Sequence, residues 1–119
     1  MKKTSMRKLY DWKVMCSKKD RLTTLRRYST GAEQAAYRAM LEECIKEMEA
    51  LTPEIVEIFR RIKRQSVIND IVAIYFGGSS YQEWSEIQGV PLDTVFRRVT
   101  NALDEIDHEI EDEANNTDF

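Results

Sequence analysis

Histidine is nearly absent from this 119-residue chain, which has His108 and no other. Cysteine is scarce too: Cys16 and Cys44 stand at no metal-ligand or redox spacing. No soft-ligand set for a zinc or iron centre is therefore expected, and the two thiols should be free and buried or semi-buried. Four glycines and two prolines are too few for a turn-dense β-fold and suit a helix-rich chain. No apolar run approaches the roughly 18 residues that a membrane-crossing helix needs. Met1-Lys2-Lys3 opens like a signal peptide, but no apolar stretch follows. The expectation is a soluble cytoplasmic protein with no membrane partner. Gly77-Gly78-Ser79-Ser80 lacks the lysine of a phosphate-cradling loop. The acidic pairs Glu42/Glu43 and Asp104/Glu105 are adjacent in sequence and so do not share a helix face. No catalytic residue, metal or cofactor is expected, and the chain reads as a non-enzyme.

Charge, by contrast, is abundant and unevenly spread. Charged residues make up 33% of the chain and the net charge is −3. That balance alone argues mildly against nucleic acid, because phosphate neutralisation supplies most non-specific affinity. The distribution says more. Residues 1–27 hold ten Lys/Arg against two Asp, whereas residues 104–118 hold eight acids and no Lys or Arg. Between them Arg60, Arg61, Lys63 and Arg64 form one tight basic run. Such asymmetry points to separate surfaces for separate partners. The acidic end either repels DNA from one side or docks onto the basic N-terminus.

Helical periodicity covers most of the chain. Residues 1–29 read as a basic N-terminal helical segment in two pieces. Leu9, Trp12 and Met15/Cys16 mark one apolar face, and Ser17-x-x-Asp20 restarts a helix that buries Leu22, Leu25 and Tyr28. Residues 30–65 read as two amphipathic helices. Thr30-Gly-Ala-Glu33 is a capping box for the first, and Thr52-Pro53-Glu54 starts the second, with proline at its first position. Leu41, Cys44, Met48, Leu51, Ile55, Ile58 and Ile62 alternate at spacings of three and four, a seam of three heptads broken at Pro53. This seam fits either an antiparallel intramolecular bundle or a dimerisation stalk. Ser66 opens a further helix, whose Val67, Ile68, Ile71, Val72, Ile74 and Tyr75 should be central to the core. Beyond Ile110 no apolar face is left, and residues 112–119 read as a disordered acidic tail.

The most informative stretch is Ser80 to Ile106. Ser80-x-x-Glu83 is a capping box, with Tyr81, Trp84 and Ile87 as the apolar face behind it. Gly89 suits a left-handed C-cap, and Pro91 is tolerated in the first turn of a following helix, 91–110. That helix buries Val95, Val99, Ala102/Leu103, Ile106 and Ile110, leaving Thr94, Arg97, Arg98 and Asn101 outside. A short helix, a tight turn and a longer helix make a helix-turn-helix, whose second helix enters the major groove. Arg97 or Arg98 would fork onto guanine while the other reaches a phosphate. Asn101 would contact adenine or phosphate. Leu92 and Phe96 would touch thymine methyls, and Asp93 would accept from cytosine. Ser80, Tyr81 and Gln82 lie where a helix N-terminus meets backbone phosphate. These ten residues are the candidate DNA-binding set.

The same residues carry a family resemblance. Ser80, Tyr81, Glu83, Glu86, Ile87, Gly89, Val90, Thr94, Val95, Arg97, Arg98, Ala102 and Leu103 resemble region four of bacterial sigma factors. They resemble more specifically the small phage-encoded late-gene regulators of the ArpU/RinA-like group. The resemblance is best over residues 66–106, about a third of the chain. With the helical pattern of the whole chain, the expectation is an all-α protein: an N-terminal bundle or coiled-coil-like segment, then a helix-turn-helix domain over residues 66–111. The resemblance implies a sequence-specific transcriptional regulator, a phage or prophage late-gene activator working through RNA polymerase. The expected partners are double-stranded DNA and RNA polymerase, with a homodimer where the seam is a dimerisation stalk. Pro91, Asp93 and Phe96 depart from the family pattern. The acidic balance, Asp93 and Phe96 favour an alternative: a non-enzymatic protein-interaction module on the same scaffold, such as a phage modulator of a host protein or a DNA-packaging adaptor.

Overall fold

The computed structural model describes residues 3–116, and these are all-helical, with no strand among them. Five helices follow one another: α1 (Ser5–Arg27), α2 (Gly31–Arg61), α3 (Gln65–Ile71), α4 (Tyr81–Gln88) and α5 (Leu92–Asn116). A π-helical turn, Val72–Phe76, carries α3 onward until Gly77 and Gly78 stop it. A Cβ on Gly77 would lie 2.9 Å from the Ala73 carbonyl oxygen, so only glycine permits that approach without a shift.

α1 and α2 pack as a long antiparallel pair. Their inner ends join the main core, where Leu9, Ile55 and Ile58 meet Val67, Ile71, Ile74, Tyr75, Val95, Val99, Leu103 and Ile106. Further out, Leu22, Leu41 and Cys44 form a second, smaller cluster, with Met15, Tyr37, Ile45 and Met48 packed on it. The seam of three heptads is therefore occupied within one chain.

Several expectations change. α1 is one helix, without a restart at Ser17. α2 runs straight through Pro53. The ring, and Glu49 four residues before it, are both exposed, so the carbonyl left without an N–H partner has access to water. The buried stripe on the other side, Cys44 to Ile58, continues across the proline. Thr30 caps α2 without a side-chain bond, and Glu33 instead accepts from Tyr37 Oη at 3.4 Å. Leu25 and Tyr28 are 38% and 81% exposed, and Ile87 is 69% exposed. All three were expected inside, and one geometric cause covers them. Steps of three residues drift by about 60° in a 3.6-residue helix. Two such steps carry Tyr28 well round from Leu22 and Ile87 well round from Tyr81, and Ser85 takes the buried place on α4 instead.

The acidic end is ordered helix to Asn116, and residues 117–119 of the expected tail lie outside the described residues. α5 also fixes the start of α1. Asp107 accepts from Ser5 N at 3.0 Å and from Ser5 Oγ at 2.6 Å, which places a carboxylate where the α1 amides are unpaired. The thiols are free, with Cys44 buried and Cys16 half-buried, and burial pushes the Cys16 thiol up from its ordinary range.

Candidate nucleic-acid interface

The α4–α5 turn is built as its residues require. Ser80 Oγ accepts from Glu83 N at 3.1 Å, and Glu83 Oε1 accepts from Ser80 N at 3.3 Å. Gly89 closes α4 in the left-handed region, φ 66°, where a side chain would be strained by roughly 1–2 kcal/mol. Val90 N then donates back to Ser85 O at 3.1 Å. The Pro91 carbonyl accepts from Thr94 N and Val95 N, so the proline stands one place ahead of α5.

One buried carboxylate ties three helices together. Asp70 of α3 is wholly buried. Its Oδ1 accepts from Trp84 Nε1 of α4 at 2.7 Å. Arg98 of α5 donates from Nε to Oδ2 at 2.6 Å and from Nη2 to Oδ1 at 2.7 Å. This two-pronged bond holds the guanidinium in its charged form, above its ordinary range. It also fixes the angle of α5 against α3 and α4.

Beside this lock lies a groove of about 550 Å³ between the α2–α3 junction and α5. Thr94, Arg97, Arg98 and Asn101 of α5 line it, opposite Arg61, Lys63 and Arg64. Arg97, Arg64 and Asn101 are exposed, and neither arginine has an ion-pair partner among the described residues. The far end of the groove is acidic, with Glu105 and Glu109 in its wall.

The ten candidate residues thus divide into groups. Thr94, Arg97, Arg98 and Asn101 share the groove. Arg98 is bound to Asp70, so its guanidinium serves the fold. Tyr81 and Phe96 pack edge-on to each other at 5.2 Å. Tyr81 Oη is 3.1 Å from Tyr75 Oη, and burial raises its phenol well above the ordinary range. Phe96 remains 48% exposed. Ser80 serves the cap, and Gln82 donates to Glu86 at 2.9 Å. Leu92 and Asp93 stand at the start of α5, outside the groove lining. The sequence reading missed Lys63 and Arg64 as groove residues. The basic run at Arg60–Arg64 was their signal, but no periodicity links it to α5.

No family model, curated protein or solved structure matches this chain. No group of three or more His, Cys, Asp or Glu that could hold a metal ion occurs among the described residues. No described helix is long and apolar enough to cross a membrane. His108 lies apart from the groove lining. Its contact with the Asp104 carbonyl, 2.8 Å from Nδ1, holds its imidazole above the ordinary value, with nearby carboxylates assisting.

Proposed function

We propose that α4, the turn at Gly89–Pro91 and α5 are a helix-turn-helix reader of double-stranded DNA, and that the chain is a transcriptional regulator. The observation that carries this reading is the presence of the exposed Arg97 and Arg64 in one open groove, beside helices α4 and α5, which Asp70 bridges. An exposed arginine on the second helix reaches base edges, and a cation on the neighbouring element reaches phosphate. Thr94 and Asn101 extend the polar rim along the same face. The N-terminal helical pair then serves as the support of the reader. The resemblance to sigma region four and to phage late-gene regulators gives the same reading its biological setting, with RNA polymerase as a second partner.

A protein-interaction role on the same scaffold is the second reading. What favours it is that Arg98 is committed to Asp70 and that Phe96 and Leu92 are exposed, which leaves a short basic patch beside apolar ones.

Selection from random duplexes at low and near-physiological salt separates the two. The expected result is an enriched motif that wild type retains and Arg97→Ala loses. For a cognate site that loss should be roughly 1–3 kcal/mol, and Arg64→Ala should flatten the salt slope by about one unit. No enrichment, or weak binding indifferent to Arg97, would move the search to protein partners.

A further inference from the structure

Glu105, Glu109 and Glu113 recur every fourth residue on α5, so they form one stripe. That stripe lies against the α2–α3 junction. Lys63 Nζ is 3.3 Å from both Glu105 and Glu109. Arg61 donates to Glu113 with both terminal nitrogens, the Nη1 bond being 3.2 Å long. Arg61 Nη1 also lies 3.6 Å from Glu109, and its Nε donates to Glu57 at 2.8 Å. Two cations thus face four carboxylates. The consequences appear in both sets: Arg61 and Lys63 are raised above their ordinary ranges and Glu113 is lowered.

Arg61, Lys63, Glu105 and Glu109 line the same groove as Arg64, Arg97 and Asn101, and Glu113 continues the stripe beyond it. Its basic residues therefore divide by partner. Arg98 is bound to Asp70, Arg61 and Lys63 are held by the carboxylates of α5, and Arg64 and Arg97 face solvent with no carboxylate partner among the described residues. Along α5 the distance from Arg97 to Glu105 is eight residues, roughly 12 Å at 1.5 Å per residue. A polyanion seated at Arg97 therefore meets the carboxylates directly beyond it.

We infer that the Glu105–Glu109–Glu113 stripe is an internal competitor for the groove, occupying Arg61 and Lys63 in place of a phosphate backbone and limiting the groove's polyanion contact to Arg64 and Arg97. The inference rests on the reading of the groove as a nucleic-acid interface. The stripe makes binding weaker and less salt-dependent than Arg61, Lys63, Arg64 and Arg97 would give together. Displacing it adds two phosphate contacts, and each released counterion steepens the salt dependence by about 0.9 logarithmic units.

The test compares full-length wild type with Glu105→Gln/Glu109→Gln/Glu113→Gln on a labelled random-sequence duplex. Fluorescence anisotropy is followed from 50 to 300 mM salt, with circular dichroism confirming the helical fold of each protein. Glu105→Gln/Glu109→Gln serves as a milder second variant. Two controls isolate the mechanism. Arg61→Gln/Lys63→Gln is placed in the wild-type and in the triple-variant background, and Glu42→Gln/Glu43→Gln/Glu47→Gln matches the charge change elsewhere. The expected result is at least tenfold tighter binding by the triple variant near 150 mM salt, with a slope steeper by nearly two units. That gain should vanish when Arg61 and Lys63 are removed, although their removal barely alters wild type. Binding by wild type with no gain in the triple variant would overturn the competitor alone. So would a gain that survives loss of Arg61 and Lys63, or one matched by the charge control. No binding by any of these proteins would overturn the nucleic-acid reading of the groove, and the competitor with it.

Discussion

Arg97 and Arg98 are neighbours in sequence with opposite duties. Arg98 completes the charge of a carboxylate that has no access to water. Arg97 is exposed in the groove with no carboxylate partner among the described residues. Truncating Arg98 leaves Asp70 buried with Trp84 as its one remaining donor among the described residues, and removing one member of a buried pair costs about 3–5 kcal/mol. Arg98→Ala should therefore lower the unfolding free energy by about 3 kcal/mol in urea, near the bottom of that range because the arginine is partly solvated. Arg97→Ala should change it by less than about 0.5 kcal/mol, as surface substitutions do. Equal losses from the two would contradict this division. A helical pattern puts both arginines outside the apolar face. It cannot show that one of them reaches back 28 residues to an aspartate, because a buried ion pair leaves no periodic trace in the sequence.

At α4 the element was more legible than its buried face. The Ser80–Glu83 box and Gly89 mark the bounds of α4 to within a residue, because capping is a local affair of four residues and their own amides. Errors of face came from counting threes where the helix turns by 100° per residue, as at Tyr28 and Ile87. Pro53 shows the opposite failure, a local rule overruled by packing. Thr52-Pro53-Glu54 has the composition of a helix start, yet Ile55 and Ile58 continue the stripe of Leu41 and Cys44, and their burial holds α2 in one piece. The proline is then a tolerated defect. It removes one backbone hydrogen bond on the wet side, where water serves the orphaned carbonyl. An interior proline costs about 3 kcal/mol relative to alanine, and proline's stiffening of the unfolded chain returns up to about 1 kcal/mol of that. Pro53→Ala should thus raise stability by about 2–3 kcal/mol in thermal or urea denaturation, with the helical circular dichroism unchanged. A loss of stability would mean that the proline shapes a bend the core depends on.

The whole molecule is more extended than its length requires. Its radius of gyration is 17.4 Å, against about 13–14 Å for a compact domain of this length. The excess lies in the outer half of the α1–α2 pair, where Leu22, Leu41 and Cys44 are the buried residues and no third helix adds to their cluster. Few buried apolar contacts mean a low local opening free energy. The main core, drawing on α1, α2, α3 and α5 together, should open only with global unfolding. Cys44 reports on the outer cluster directly, since it is 1% exposed and its Sγ lies 3.6 Å from the Met15 carbonyl. In a Cys16→Ser background, alkylation of Cys44 should proceed in native buffer through an opening of lower free energy than global unfolding. Its rate should rise only weakly with urea, because the surface exposed in a local opening is small. Amides of α3 and α5 should exchange with the full denaturant slope in the same buffer. A Cys44 rate that climbs with that same slope would mean the pair and the core unfold as one unit. The α1–α2 arm would then be as firmly held as the groove it supports.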